Sequence, residues 1–275
     1  MSDRALLVIA DIGGYTKFMK VHRVNLAHAQ TIIASLLEAV IDGAEPKLKL
    51  VKLEGDAAFF YARLGAKETD KDALAMFTSI VSKIRQNFLE RQVEFEAERL
   101  CNCDSCLQAS QLTLKFVAHV GEVAFQKVKH LTELAGVDVI FVHRLLKNSV
   151  PIAEYVLMSE PVFDRIEPEL KPLGNQVHED LEGLGTMKLQ YIDFNELQRE
   201  RPHMARAGFW RQFKAWFRMT LKAIPYFVGT RKSCEGFRNF PGIEPPPDLL
   251  LPPGVPSVTP ESVVAGEPAP KADGA

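Results

Sequence analysis

The sequence contains no apolar stretch approaching the roughly 20 residues that a helix needs to cross a bilayer. Its early apolar run, Ala5 to Ile9, is also too short for the core of a secretion signal and gives way to Asp11. A cytoplasmic location follows as the expectation. Cysteine is scarce: 4 in 275 residues. That excludes a disulfide-built scaffold and favours reduced thiols. No internal repeat is present, so solenoid and propeller architectures are excluded. Net charge is also nearly absent, at -2, but its distribution is uneven. Residues 201–240 hold nine Lys and Arg against Glu235 alone, and residues 241–275 hold five acids against Lys271. An acidic body therefore precedes a basic neck and a weakly acidic tail. No recognised nucleic-acid motif accompanies the basic stretch.

What is present is a set of elements in a legible order. Leu6 to Ala10 reads as a buried strand broken at Gly13-Gly14. From Lys17 to Ala44, apolar residues recur at helical spacing (Ile32, Ile33, Leu36, Leu37, Val40), predicting one long helix or two shorter ones. Leu48 to Glu54 and Ala57 to Ala62 predict a hairpin with its turn at Gly55-Asp56. Asp70 to Glu98 predicts a long helix. Leu112 to His119 and Val123 to Val128 predict a second hairpin around Gly121-Glu122. A helix over Val137 to Asn148 is followed by strands at Tyr155 to Met158, Gln176 to Leu181 and Met187 to Phe194. This order predicts an α+β fold of the ferredoxin-like kind, a sheet with helices on one face. Residues 1–196 form the expected main domain, 197–243 a basic aromatic helical neck, and 244–275 a proline-rich disordered tail.

Two acidic motifs carry the chemistry. Asp11 stands before Gly13-Gly14, and Asp56 follows Gly55 after Lys52-Leu53-Glu54. Each acid sits beside glycine at a strand end. Paired carboxylates hold divalent ions, and glycine-rich backbone admits phosphate. On residues alone, Asp11 either caps the following helix or binds metal. Glu54, on the same strand face as Lys52, is either its ion-pair partner or an added metal ligand.

Together the motifs resemble those of the class III nucleotidyl cyclases, here a cyclase-like branch with a cysteine insertion. Ala10-Asp11-Ile12-Gly13-Gly14-Tyr15-Thr16 is similar to that family's Ala-Asp-Ile-x-Gly-Phe-Thr, and Lys52-Leu53-Glu54-Gly55-Asp56 to its Lys-x-x-Gly-Asp. His119-Val120-Gly121-Glu122-Val123 resembles its His-x-Gly-Glu-Val hairpin, and Glu133 to Gly136 with Arg144 its base-selecting segment and arginine-bearing helix. The resemblance spans about Leu6 to Leu146 and implies a class III cyclase fold. It implies Asp11 and Asp56 as ligands of two Mg2+ or Mn2+ ions, and Gly13 and Gly14 as the phosphate turn. It implies Lys52 with Glu133, or neighbouring Thr132, as readers of adenine, and Arg144 as the catalytic arginine. The implied reaction converts ATP to cyclic AMP and pyrophosphate in a head-to-tail homodimer. The alternative is a nucleotide-binding dimeric signalling module without strong turnover. One departure favours that alternative: Ile140 stands where the family has a ribose-orienting asparagine, with Asn148 or His143 as candidate substitutes.

Two features lie outside the resemblance's core. Cys101-x-Cys103-x-x-Cys106 has spacing suited to a structural zinc turn, with Cys234, His119 or a residue from a second chain as fourth ligand; the alternative is three reduced thiols. In the neck, Phe209, Trp210, Phe213, Trp216, Phe217, Thr220, Leu221 and Ile224 share one side of a helical wheel, beside a stripe of Arg211, Lys214, Arg218 and Lys222. That pattern suits either docking on the acidic body or contact of 209–224 with an anionic membrane surface.

Overall fold

The computed structural model describes residues 3–16, 18, 26–64, 74, 76–98, 108–129, 131–197, 202, 208–210, 212–214, 216, 217 and 221. The elements run β1 (Asp3–Gly13), α1 (Leu26–Ala44), β2 (Lys49–Glu54), β3 (Ala57–Arg63), α2 (Phe77–Glu98) and β4 (Thr113–Val128). They continue with β5 (Leu131–Ala135), α3 (Val137–Arg144), β6 (Tyr155–Ser159), α4 (Glu160–Phe163), β7 (Asn175–Leu181), β8 (Gly185–Asp193) and α5 (Phe194–Leu197). Eight strands make one sheet in the order β2-β3-β1-β4-β6-β8-β7, with β5 paired to β4 off this path. This is the α+β architecture that the sequence predicts.

The centre of the sheet is apolar on both faces because helices cover both. Leu6, Val8, Ala10 and Ile12 of β1 pack with α1 and α2 in the larger core. Ala5, Leu7 and Ile9 point the other way, into a second core with Phe141, Val142 and Leu145 of the α3 segment. The two long helices thus lie on one face and the short α3 on the other, so the helices are not confined to one face as the element order predicts. Asp11 continues the Leu7–Ile9 alternation and opens onto the α3 side.

One buried ion pair ties the large-core helix α2 to the edge of β6. Arg85 donates from Nη2 to Glu154 Oε2 at 2.9 Å, and the Phe194 ring lies 5.0 Å from the guanidinium carbon. The amide of Gln92, also on α2, donates to Ala109 O and Leu112 O at 2.8 Å each and so fixes the entry into β4.

The predicted hairpin at Gly121-Glu122 does not exist. Thr113 to Val128 is one continuous strand, whose first part pairs with β1 and whose end pairs with β5. The chain reverses after it at Lys129, which has φ 55°. Gly121 is there for a different reason. A Cβ at that position would come within 2.2 Å of Asp138 Cγ, so the missing side chain is what lets α3 approach the strand. The cysteine stretch 101–106, Cys234 and the tail lie outside the described residues.

Candidate active site

The floor of the site is a single transverse row on the α3 face of the sheet. Register pairs Glu54 with Ala57, Ala57 with Asp11, and Asp11 with Lys115. Ala57, a small side chain, lies buried between Glu54 and Asp11 in this row. Asp56 precedes Ala57 in the β2–β3 turn, and its carbonyl accepts a hydrogen bond from the Ile12 amide at 3.2 Å. The two predicted metal acids therefore come together at adjacent strand ends.

Their electrostatics are those of two acids close enough to act on each other, with Lys115 beside them. Burial, and then the charge of Asp11, push the Asp56 carboxyl above the usual range; Lys115 partly offsets this. Burial and the Asp56 charge also push Tyr15 up. Lys115 donates to Asp11 Oδ2 at 3.0 Å. Burial pulls the Lys115 ammonium down, but its bond to Asp11 and the charges of Asp11, Tyr155 and Asp56 outweigh this and hold it above its ordinary value. Tyr155 stands beside it on β6, also pushed up by burial, with its hydroxyl donating to Asn148 Oδ1 at 3.0 Å. The sequence reading missed Lys115 and Tyr155. The only signal was register: Lys115 lies four residues before His119, a position that faces Asp11 once β1 and β4 pair.

Gly13 and Gly14 hold the turn that follows Asp11. A Cβ at Gly13 would meet Thr113 Oγ1 at 2.2 Å, and Gly14 has φ 84°, which favours glycine. The Gly14 carbonyl then accepts the Phe18 amide at 2.8 Å as the chain turns helical.

Lys52 reaches the α3 face through a bulge. Leu50 pairs with Phe60 but Lys52 pairs with Phe59, so Val51 is an extra residue. Were Val51 paired in a regular ladder continued from Leu50 and Phe60, Lys52 would fall opposite Ala58, on the face buried under α1 and α2; a one-residue slip exchanges the faces of a strand. Lys52 Nζ donates to Glu54 Oε1 at 2.8 Å. That bond raises the Lys52 pKa, burial opposes it, and the charges of Glu54 and Glu133 add to the rise. Glu133 is therefore close enough for its charge to act on Lys52. Glu54 resolves as the ion-pair partner of Lys52, and it also meets His143 Nε2 at 3.1 Å. Burial pushes the Glu54 carboxyl up, but Lys52 and His143 hold it below its usual value.

Other predicted residues are placed elsewhere. Arg144 donates to the backbone and carboxylate oxygens of Glu182, in the β7–β8 turn, and not to Asp11 or Asp56. Ile140 is 52% exposed. Both candidate substitutes are engaged: Asn148 with Leu145 O, Val150 N and Tyr155, and His143 with Val139 O and Glu54. His119 is no open zinc ligand. Its Nδ1 meets Ser159 Oγ at 2.8 Å and its Nε2 meets Asp138 Oδ1 at 3.1 Å. Burial holds its pKa down despite Asp138, which matches a neutral ring receiving from Ser159 and donating to Asp138. The Glu122 amide donates to the other Asp138 oxygen at 2.6 Å. The motif His119-Val120-Gly121-Glu122 therefore anchors the first turn of α3.

Among the described residues, no group of three or more His, Cys, Asp or Glu is arranged to hold a metal ion. The oxygen pair Asp11 and Asp56 nonetheless fits a magnesium-type site, in which one or two carboxylates act with substrate phosphates and water. The crowding that raises Asp56 is what a cation would relieve.

Over 207 residues the sequence is 41% identical to "Uncharacterized protein Rv2561/Rv2562" of Mycobacterium tuberculosis (strain ATCC 25618 / H37Rv), covering 75% of this chain and 94% of that protein. The chain belongs to that protein's family. Residues 33–155 also match the family described as "Protein of unknown function (DUF2652)". Among solved structures, the adenylyl cyclase CyaB from P. aeruginosa superposes with a TM-score of 0.52 at 14% identity, covering 70% of this chain and 95% of that chain. A bacterial light-regulated adenylyl cyclase gives a TM-score of 0.51 at 12% identity, covering 81% of this chain and 57% of that chain. The fold is that of the class III cyclase domains. No helix among the described residues is long and apolar enough to cross a membrane.

Proposed function

We propose that the chain is an adenylate-cyclase-like domain that binds ATP with divalent ions and forms cyclic AMP and pyrophosphate in a homodimer. The observation that carries this reading is the meeting of Asp11 and Asp56 at adjacent strand ends, with Asp56 held above its usual pKa partly by the Asp11 charge. Bound Mg2+ or Mn2+ supplies charge neutralisation for the triphosphate and activation of the ribose 3′-hydroxyl. Asp11 and Asp56 hold the metal. The Gly13-Gly14 turn offers backbone N–H groups to phosphate. Lys52 and Glu133 present a cation and an anion to the adenine edge. The 3′-hydroxyl passes its proton to solvent, and its oxygen bonds to the α-phosphorus as the bond from that phosphorus to the β-phosphate's bridging oxygen breaks and pyrophosphate leaves. Arg144 is held on Glu182 and not on Asp11 or Asp56 of its own chain, which suits a head-to-tail pair in which it supports the charge at the phosphorus bound at the partner's acids.

A second reading, a nucleotide-binding signalling module with little turnover, is favoured by Ile140. Its side chain offers no hydrogen bond, and Asn148 and His143 are committed elsewhere. Losing one transition-state contact costs roughly a hundred- to a thousand-fold in rate. Incubation of the purified chain with ATP and manganese separates the two. Cyclic AMP that disappears in Asp11→Ala and Asp56→Ala supports the enzyme. No product, with ATP still raising the melting temperature, supports the module. Neither product nor a temperature shift removes both. The cysteine triad is proposed as a structural zinc turn, tested by metal content after purification without chelator. The division at 196/197 and 243/244 is proposed as the domain plan, tested by limited proteolysis.

A further inference from the structure

The neck meets the body through Gln212 and leaves its described aromatic side chains and Lys214 outward. Residues 209, 210, 212–214, 216, 217 and 221 are helical. The buried one among them is polar: Gln212 is 6% exposed, and its amide donates to Ala97 O at 3.3 Å, at the end of α2. Phe209 is 65% exposed, Trp210 74%, Phe217 50% and Leu221 48%. The rings pack along the helix on one another. Phe213 lies 6.2 Å from both Phe209 and Phe217, and 5.9 Å from Trp216. Docking through the aromatic face, one of the two arrangements open to the sequence, is thus not what the described residues adopt. An aromatic ridge of this kind marks a contact surface rather than ordinary scatter of apolar side chains.

Charge identifies the occupant. Residues 201–240 carry nine basic side chains against one acid, and Lys214 within the ridge is exposed. The complement is anionic. A ridge of Trp and Phe flanked by Lys and Arg, too short and too charged to cross a bilayer, is built to lie in the plane of an interface with its rings at the headgroup boundary. We infer that residues 209–221 dock on an anionic lipid surface. This does not depend on the nucleotide reading.

The chain supplies its own reporter, since its 2 tryptophans, Trp210 and Trp216, both lie in the ridge. The full chain is mixed with vesicles of phosphatidylcholine containing phosphatidylserine, and with vesicles of phosphatidylcholine alone. Tryptophan fluorescence and co-sedimentation are read at low and high salt. The expected result is a blue shift and pelleting with the anionic vesicles, on the order of ten-fold weaker with neutral vesicles or in high salt. Trp210→Ser with Phe217→Ser, and separately Lys214→Glu with Arg218→Glu, should each reduce pelleting by about ten-fold or more while circular dichroism stays unchanged. Absence of pelleting with anionic vesicles overturns the inference. So does undiminished pelleting of both double variants. A wild-type mass by sedimentation equilibrium that falls by half in Trp210→Ser/Phe217→Ser would instead assign the ridge to a second copy of the chain, and overturn it too.

Discussion

Glu54 and Asp11 stand in one transverse row of the sheet with only Ala57 between them, about 10 Å apart at two strand spacings. Their partners differ. Glu54 holds Lys52 and His143, and Asp11 holds Lys115. A nucleotide laid along this row would meet a base-edge group at one end and the metal acids at the other, while Arg144 of the same chain stays on Glu182. If two chains supply complementary groups, Asp11→Ala and Arg144→Ala alone should each abolish cyclic AMP formation. Mixed in equal amounts and allowed to exchange, they should recover roughly a quarter of wild-type activity, since half the dimers carry one intact site. Mixed samples as inactive as the single variants would assign both residues to one chain's site.

Asp56→Asn should stabilise the protein while abolishing its response to metal. The folded carboxyl binds its proton more tightly than the unfolded one, because burial and Asp11 disfavour the charge. Stability from this group therefore falls as pH rises from the ordinary aspartate range through the raised folded value, and stays lower at neutral pH. The amide removes that penalty. Its melting temperature should exceed wild type at neutral pH and converge with it in acid, and manganese should no longer raise it. A melting temperature below wild type at neutral pH would contradict the repulsion between the two acids.

Glu54→Gln tests whether the ion pair withholds Lys52 from a ligand. On the proposed reading, Lys52 must share or leave Glu54 to meet the purine. An exposed charge pair contributes about 0.2–1 kcal/mol, so the variant should bind ATP up to roughly five-fold more tightly, read by calorimetry. His143→Gln, which leaves Lys52 on Glu54, should change affinity less. Weaker binding in Glu54→Gln would mean that the carboxylate orients the lysine instead.

Much of this site was legible in the chain because it depends on local grammar. An acid near glycine at the edge of an apolar run, after the run at Asp11 and before it at Asp56, marks two candidate acids and the strands next to them. What was not legible depends on partners across the sheet. The extra Val51 that swings Lys52 onto the α3 face appears only in the pairing of β2 with β3. Lys115 alternates with buried Leu114 and Phe116 as any half-exposed strand residue would, and only register sets it on Asp11. Gly121 reads as a turn because a glycine inside a strand usually weakens it. Its purpose becomes visible only with Asp138 beside it. In the neck the apolar periodicity was plain, but periodicity does not say which side of a helix meets the body; Gln212 decided that.

Arg85→Ala should be among the most destabilising single changes. It leaves Glu154 buried without its 2.9 Å partner and removes the guanidinium from the Phe194 ring. Breaking a buried pair costs about 3–5 kcal/mol, whereas exchanging both members for apolar residues is often neutral. Arg85→Met combined with Glu154→Leu should therefore recover most of the loss in urea unfolding. A cost under about 1 kcal/mol for Arg85→Ala would be the range of a surface pair and would contradict burial.

Gly121→Ala separates an anchoring role of the His119 motif from a hairpin role. The added methyl would sit 2.2 Å from Asp138 Cγ and must displace it. Asp138 then loses the Glu122 amide and His119 together, at a cost of about 1–3 kcal/mol. Gly208→Ala, where an added Cβ meets nothing within 4 Å, is the matched control. Acid response gives a second readout. Burial holds His119 below its ordinary value, so its contribution is complete above about pH 6.5, the unfolded value, and is lost as pH falls from there through the folded value. Asp138 opposes that shift, and its charge shields the fold from acid. Asp138→Asn should therefore lose stability more steeply than wild type between pH 7 and about pH 5, measured by thermal unfolding across that range. If the helix were held elsewhere, Gly121→Ala and Gly208→Ala would unfold alike, and the acid slope would not change.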